Sequence, residues 1–200
     1  VIDSMYRNFK IYAGIMFAFP HVIGGAMRPE YNALAWIYDK TAFAAWCAGR
    51  TGFPIVDAGM REMLATGFMH NRARLITASF LVKILLIDWR LGERFFAQNL
   101  IDYDISNNNG NWQWVAGTGA DSQPYFRIFN PWRQTIEHDS QALYIRRWVP
   151  ELRSLSAEIL LGWETAHTEY LARGGREKIE YPAPIVDYAK QKILALKMYA

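Results

Sequence analysis

The residues with the clearest capacity for chemistry lie between Leu100 and Trp114. This stretch reads LIDYDISNNNGNWQW and combines two carboxylates, Asp102 and Asp104, with a run of amides and two tryptophans that lie two residues apart. Carboxylates and amides next to flat aromatic surfaces can cap a helix, and they can also hold a ligand. Residue types alone leave both roles open.

Metal binding and nucleophilic catalysis are poorly supported by the sequence. Asp102 and Asp104 could form a metal pair, but no third acidic or histidine ligand lies near them in the chain. His70 and His138 lack the spacing of a metal site or of a nucleophile with its base. The segment GTGADS, residues 117–122, lacks the third glycine of a dinucleotide-binding fingerprint. We therefore predict a site without a metal.

A second polar group lies at the start of the most apolar stretch, ARLITASFLVKILLIDW, residues 73–89. A charged side chain beside a buried helix needs a partner, and Asp102 is the natural one for Arg74. The pair could be a purely structural salt bridge. That is the simpler interpretation, but the pair could also belong to a ligand site that includes three other polar residues: Asn71, Asp104 and Asn108.

Composition indicates one compact domain across residues 1–200. The 200 residues are 52% hydrophobic, and no linker rich in Ser, Gly or Pro divides them. The net charge of +3 permits an anionic partner but is far from the dense Lys/Arg enrichment of a nucleic-acid-binding tail. Aromatic residues make up 15% of the chain, and a core explains most of them, but not those beside Asn, Arg and Asp.

The single cysteine, Cys47, cannot form an internal disulfide, which favours a reducing, intracellular compartment. We expect Cys47 to be part of the core. The opening residues VIDSMYRNFK contain no signal peptide and no initiator Met. We therefore expect a chain that is truncated at its N-terminus.

Periodicity predicts an all-α fold, because no alternating segments bounded by turns are present. A helix is expected from Pro54 to Gly67, and residues 73–89 read as one buried helix. Arg74, Lys83 and Asp88 interrupt that run well short of the roughly 18 to 20 apolar residues that a membrane span requires. Further helices are predicted at 93–101, 141–152 and 185–200, and residues 107–131 read mostly as an ordered loop.

Three long segments together resemble a known family: WCAGRTGFPIVDAGMREMLATGFMHNRARLITASFLVKILLIDWRLGERFF, LIDYDISNNNGNWQW and DSQPYFRIFNP. The chain resembles the C-terminal FAD-binding domain of class I DNA photolyases and cryptochromes, closest to the photolyases of cyclobutane pyrimidine dimers, from about residue 3 to 188. The resemblance implies an all-helical domain that holds a U-shaped FAD. It also implies that the family's N-terminal α/β antenna domain, with any antenna chromophore site, lies outside this chain.

The resemblance also implies roles for individual residues. Asn108 matches the asparagine that faces flavin N5, Arg74 and Asp102 match the salt bridge against the isoalloxazine, and Asp104 matches a second acid near the ribityl region. The remaining matches fall into three groups: an electron relay of Trp112, Trp89 and Trp36; a lesion pocket with Asn71 and Trp114; and DNA-backbone contacts at Arg72, Arg127 and Gln134. Each relay tryptophan taken alone is better explained as a core residue, and only the three together, at the family spacing, favour the relay.

Several positions depart from the family pattern. Asp3 stands where a glutamate hydrogen-bonds the dimer, and Tyr6 replaces a stacking tryptophan. Asn111 replaces a glycine before the first tryptophan, and Tyr103 replaces a small residue between the two acids. The family's segment that grips the FAD phosphates would lie upstream of residue 1, so the N-terminal half could be supplied by a separate polypeptide.

The resemblance predicts light-driven repair of cyclobutane pyrimidine dimers, with UV-damaged DNA as the partner and reduced FAD as the electron donor. The alternative is a cryptochrome-like photoreceptor, or a degenerate photolyase-like module that serves a binding or structural role without repair.

Overall fold

The structure, a computed structural model, describes residues 13–120, 127–172 and 179–199. These residues form helices and no strands, which confirms the predicted all-α fold. The helices are α1 (residues 13–18), α2 (Lys40–Cys47), α3 (Pro54–Thr66), α4 (Asn71–Lys83), α5 (Trp89–Asn99), α6 (Ile105–Ala116), α7 (Pro131–His138), α8 (Leu143–Trp148), α9 (Ala157–Leu161), α10 (Trp163–Ala172) and α11 (Tyr188–Met198). Short 3₁₀ helices cover Pro20–Ile23, Pro29–Ala33 and Pro150–Leu152.

Helix α3 begins and ends as the sequence predicts. Pro54 occupies the first turn, where its missing N–H costs nothing, and Gly67 ends the helix with a φ of 69°. The Gly67 N–H donates to the Met63 carbonyl oxygen, and the Gly67 carbonyl accepts from the Ile101 N–H at 2.8 Å. The end of α3 is thereby joined to the loop that precedes α6.

Helix α4 lies at the centre of the core. Phe80, Leu81 and Val82 are fully buried, and α4 packs against α3, α5 and α6. Burial of apolar side chains on every face explains why this segment shows little amphipathic pattern in the sequence. Because α4 contacts all three neighbours, it fixes the position of the polar residues at both of its ends.

The predicted single helix over residues 73–89 is wrong. Helix α4 ends at Lys83, Leu86 adopts a left-handed φ of 55°, and Asp88 caps a new helix at Trp89 by accepting from the Arg90 N–H at 2.9 Å. Residues on both sides of the turn are apolar, so periodicity could not reveal it. The N-cap aspartate was the available signal.

The predicted loop over residues 107–131 is also wrong in its first part, where α6 forms from Ile105 to Ala116. The Asp104 carboxylate caps the helix by accepting from the Asn107 N–H, and Gly117, with a φ of 76°, ends it. Asparagine and glycine are weak helix formers, so the segment reads as a loop by propensity. Burial of Trp112, Val115 and Ala116 overrides that preference.

The remaining helix predictions hold with shifted ends. The predicted segments 93–101 and 185–200 correspond to α5 and α11, while 141–152 divides into α8 and the 3₁₀ turn at Pro150–Leu152. Helices α2, α7, α9 and α10 were not predicted. Among the described residues, no helix has the length and apolar character to cross a membrane, and no three His, Cys, Asp or Glu side chains cluster as a metal site would require.

An ion pair between α3 and the Pro150–Leu152 turn makes stability depend on pH. Arg61 Nη1 lies 2.7 Å from Glu151 Oε2, and both side chains are largely buried. Burial raises the pKa of Glu151, but the hydrogen bond and charge of Arg61 outweigh it and hold that pKa below 4.5.

We expect the free energy of unfolding to fall as the pH drops below 4.5 through the lowered pKa of folded Glu151. A folded-state pKa below the unfolded one gives stability that is fully present above the unfolded value and is lost on protonation. Urea unfolding of the parent and of Glu151→Gln between pH 3 and 7 measures the effect. Identical acid dependence in the two proteins would contradict it.

Candidate functional site

Arg74 and Asp102 form an ion pair, as the sequence predicts. Arg74 Nη2 lies 2.9 and 2.8 Å from the two Asp102 carboxylate oxygens, and Arg74 Nε donates to the Met69 carbonyl at 2.7 Å. The side chains are 26% and 36% exposed, so the pair is not sealed in the core. Part of the ion pair is therefore accessible to solvent, unlike a fully buried structural salt bridge.

Asp104 and Asn108 lie at the start of α6, where Asp104 caps the helix and the Asn108 side chain contacts the neighbouring helix α5. The Asp104 carboxylate is the N-cap, and its backbone carbonyl accepts from the Asn108 N–H at 2.8 Å. The Asn108 side-chain Nδ2 donates to the Glu93 carbonyl at 3.0 Å and to Glu93 Oε1 at 2.9 Å. Asn108 is half-buried, and its amide oxygen accepts no hydrogen bond among the described residues. That oxygen can still accept from a ligand N–H.

Glu93 is a site residue that sequence reasoning missed. It lies on α5, and its hydrogen bonds from Asn108 fix the orientation of that amide. The Tyr103 hydroxyl lies near the same acids: burial raises its pKa, and the charges of Glu93 and Asp104 raise it further. Tyr103, which departs from the family pattern, therefore lies near the carboxylates of this site, and its hydroxyl stays protonated at neutral pH.

Trp112 lies on the buried side of α6 and is only 3% exposed. Its ring meets Phe96 edge-on at a centroid distance of 5.0 Å and Trp46 at 6.2 Å. Gly92 on α5 makes room for it, because a Cβ there would lie 2.2 Å from Trp112 Cη2. Trp46 and Gly92 were not singled out from the sequence.

The other two predicted relay tryptophans have different neighbours. Trp89 is buried at the start of α5, where the Arg90 guanidinium lies 5.0 Å from its ring centroid. Trp36 is half-buried and meets Tyr199 edge-on at 6.3 Å. Among the described ring contacts, none joins Trp36, Trp89 and Trp112 directly to one another.

Trp114 is half-buried and packs against the edge of the core, with the Arg127 guanidinium 5.7 Å from its ring centroid. The backbone of the Arg127 segment is held by α4. Buried Lys83 donates to the Arg127 carbonyl at 2.6 Å, and the Ser79 hydroxyl accepts from the Phe129 N–H at 3.3 Å. Thus α4 carries Arg74 near its N-terminus and positions Arg127 from its C-terminus.

The remaining predicted DNA contacts lie at helix starts or outside the described residues. Asn71 is exposed and Arg72 half-buried in the first turn of α4, where the helix dipole favours anions. Gln134 lies in α7, and its Nε2 is 3.5 Å from Glu137 Oε2. Asp3 and Tyr6 lie outside the described residues. Cys47 is half-buried, and burial raises its thiol pKa to about 12, so it is no thiolate nucleophile at neutral pH.

Two side-chain amides of α6, those of Gln113 and Asn109, hydrogen-bond to the segment of residues 22–27. Gln113 Oε1 accepts from the Met27 N–H at 2.8 Å, and its Nε2 donates to the Val22 carbonyl at 2.8 Å and to Asn109 Oδ1 at 2.9 Å. Asn109 Nδ2 donates to the Ile23 carbonyl at 3.2 Å. The buried i, i+4 amide pair therefore fixes residues 22–27 against α6.

We expect Asn109→Ala to lower the free energy of unfolding by about 1–2 kcal/mol, because two hydrogen bonds of a buried side chain are lost. Asn111→Ala is the matched control from the same motif. Asn111 is exposed and bonds only the Asn107 carbonyl within α6, so its removal should cost little. Urea unfolding measures both, and equal costs would contradict the assignment.

The open polar groups around α6 suit a flat heteroaromatic ligand with donors and acceptors on its edge. Arg74 supplies donors, Asp102 supplies acceptors, and the free oxygen of Asn108 can accept from a ring N–H. These groups fit the isoalloxazine ring system that the sequence predicts. Trp112 and Trp114, two residues apart on the same helix, then provide one buried ring and one half-buried ring beside Arg127.

Comparison with known proteins gives a consistent picture. Residues 4–200 match the family described as the FAD binding domain of DNA photolyase. A deoxyribodipyrimidine photo-lyase of Vibrio cholerae is 50% identical over 199 residues, covering 98% of this chain and 40% of the relative. The chain spans about two fifths of the length of the curated relatives it matches.

Solved structures are also similar in fold. An archaeal photolyase from Sulfolobus tokodaii, solved with two FAD molecules, superposes with a TM-score of 0.87 at 40% identity and covers 96% of this chain and 42% of that protein. A cryptochrome from Synechocystis superposes with a TM-score of 0.76 at 40% identity, over 84% of this chain and 35% of that protein.

Proposed function

Because this chain belongs to the family of FAD-binding domains of DNA photolyases, we propose that it forms the cofactor and lesion site of an enzyme that repairs cyclobutane pyrimidine dimers with blue light. The observation that carries the proposal is the arrangement on α6. One helix presents the free amide oxygen of Asn108, the buried ring of Trp112 and the accessible ring of Trp114.

The chain's own residues would hold FAD by its isoalloxazine. Arg74 and Asp102 would hold the ring system, the Asn108 amide oxygen would accept a hydrogen bond from a flavin N–H, and Asp104 keeps the first turn of α6 in place as its N-cap. Glu93 fixes the Asn108 amide, so its oxygen is oriented before the cofactor binds. When bound in reduced form, FAD supplies the light-driven electron that splits the dimer.

The lesion would enter between α6 and the start of α4. Moving the two damaged bases out of the duplex costs a few kcal/mol of free energy. Stacking of the bases on an aromatic side chain offsets about that amount. Trp114 offers that ring, and Asn71 lies in the pocket. Arg72, Arg127 and Gln134 contact the DNA backbone, where phosphate contacts orient the strand without reading its sequence.

Trp112, Trp89 and Trp36 would deliver electrons from the surface when the bound cofactor is oxidised. Trp112 is the buried member nearest the Asn108 turn of α6, and Trp36 is the most exposed of the three. Direct ring contact between them is absent among the described residues, so transfer would pass across the intervening side chains.

Repair itself is the test. The full-length native protein, loaded with FAD and chemically reduced, is mixed with an oligonucleotide that carries one thymine dimer. Blue light should restore the two thymines, while a dark sample and an undamaged oligonucleotide show no change. No repair above the dark control would refute the proposal.

The second candidate is a cryptochrome-like photoreceptor or a module without repair activity, which the Synechocystis likeness and the departures at Asp3 and Tyr6 favour. A yellow, photoreducible protein that leaves dimers intact would support the receptor, and a colourless protein stably assembled with partners would support the structural role. A separate polypeptide that supplies the N-terminal half stays a prediction, which a native-mass measurement would test.

A further inference from the structure

A groove lies between the segment that carries Arg127 and helix α11, with a volume of about 470 Å³. Three cations line it, Arg127, Arg133 and Lys192, together with one carboxylate, Glu137. We call this the basic groove. Its other polar lining includes the Gln134 amide and the Tyr188 hydroxyl.

We propose that the basic groove binds a phosphate of the DNA strand beside the lesion, with Arg133 and Lys192 as contacts beyond those that the sequence predicts. The inference rests on the proposed function and extends the DNA footprint to the C-terminal helix α11. It assigns to Lys192 and Arg133 a role in affinity and not in chemistry.

The cations of the groove come from three separate elements. Arg127 belongs to the segment before α7, Arg133 to α7 and Lys192 to α11, and all three side chains are exposed. None of them has an acidic partner in the described ion pairs, whereas nearby Lys190 of α11 pairs with Asp187 at 3.5 Å. Three exposed cations that converge on one concave surface, with a single carboxylate opposing them, favour an anionic ligand.

The groove is joined to the lesion site through Arg127. The guanidinium of Arg127 lies 5.7 Å from the Trp114 ring centroid, while its backbone carbonyl is fixed by buried Lys83 at 2.6 Å. The same residue therefore borders the aromatic surface and the groove. A strand whose damaged bases stack on Trp114 would carry a neighbouring phosphate toward Arg133 and Lys192.

Glu137 allows a test in which a substitution should strengthen DNA binding and not weaken it. Glu137 lines the groove, its side chain is 66% exposed, and its Oε1 lies 3.7 Å from His138 Nε2. A carboxylate beside a bound phosphate repels it, so its neutralisation should strengthen binding. A nonspecific loss of fold would not produce tighter binding in one variant and weaker binding in another.

Affinity for a thymine-dimer oligonucleotide is measured with the full-length, FAD-loaded protein at several salt concentrations. Arg133→Gln and Lys192→Gln should each weaken binding by about three- to tenfold near 100 mM salt and reduce the salt slope by about 0.7 to 0.9 per lost phosphate contact. Glu137→Gln should strengthen binding. Lys190→Gln, which removes a paired lysine outside the groove, should change little.

Methylphosphonates placed one at a time beside the dimer identify the phosphate. One position should weaken binding by the parent but not by the Arg133→Gln, Lys192→Gln double variant. Repair by the parent without any such coupled position would overturn the inference and leave the proposed function intact. Binding of inorganic phosphate alone to the groove, compared with chloride at equal ionic strength, would reveal a site for free anions. That result would also overturn the inference. A parent that neither binds nor repairs the dimer would refute both.

Discussion

Asp57→Ala is expected to lower the free energy of unfolding by at least about 3 kcal/mol, because four hydrogen-bond donors lose a buried acceptor. Asp57 is completely buried, and its carboxylate accepts from the Thr51 N–H at 2.8 Å, the Thr51 hydroxyl at 2.6 Å and the Gly52 N–H at 3.0 Å. The Tyr181 hydroxyl also donates to it. The carboxylate therefore joins the start of α3 to the C-terminal segment that leads to α11.

Asp39→Ala provides the matched control, since Asp39 accepts from two N–H groups at the exposed N-terminus of α2. Loss of an exposed N-cap costs about 1 kcal/mol. Urea unfolding followed by circular dichroism measures both variants. Equal costs at the two aspartates would show that burial of the Asp57 hydrogen bonds adds nothing to stability.

Gly92→Ala is expected to destabilise the protein by about 1–3 kcal/mol and to displace the Trp112 ring. A Cβ at Gly92 would lie 2.2 Å from Trp112 Cη2 and 2.5 Å from Leu81 Cδ2, so neighbours must move. Alanine favours a helix over glycine by about 1 kcal/mol, and the steric clash must outweigh that gain. Near-ultraviolet circular dichroism reports the tryptophan environment and urea unfolding the stability.

Gly24→Ala is the control for Gly92, because a Cβ at Gly24 would meet nothing within 4 Å and its φ of −115° suits any residue. It should leave stability and the tryptophan spectrum nearly unchanged. An equally stable or more stable Gly92→Ala protein would mean that the α5–α6 interface can open around Trp112 at no cost.

Features that follow from the charge or the backbone preference of a residue itself could be predicted from the sequence. Arg74 and Asp102 were paired because a charge beside an apolar helix needs a partner, and the structure places them 2.8 Å apart. Pro54 and Gly67 marked both ends of α3, because their backbone preferences are local. Such inferences need no knowledge of what lies across the fold.

Contacts between residues that are distant in the chain could not be predicted from the sequence. Glu93 reads as a surface residue until α5 lies against α6 and Asn108 meets it. Gly92 reads as a weak helix position until the Trp112 ring is known to fill the space above it. Lys83 was predicted only as an interruption of an apolar run, yet it positions Arg127 through a contact 44 residues along the chain. In each case the partner is supplied by tertiary structure.

The central claim is that Trp112 and Trp114, two residues apart on α6, serve different partners: the cofactor on the buried side and the lesion on the accessible side. Flavin photoreduction, repair by pre-reduced flavin and affinity for a dimer oligonucleotide are measured side by side in Trp112→Phe and Trp114→Ala. Trp112→Phe should slow photoreduction and leave repair by reduced flavin largely intact. Trp114→Ala should keep photoreduction and weaken lesion binding by about 1–3 kcal/mol, the contribution of one stacked base. Equal loss of all three activities in both variants would contradict the account, because it would mean that the two tryptophans act only through folding.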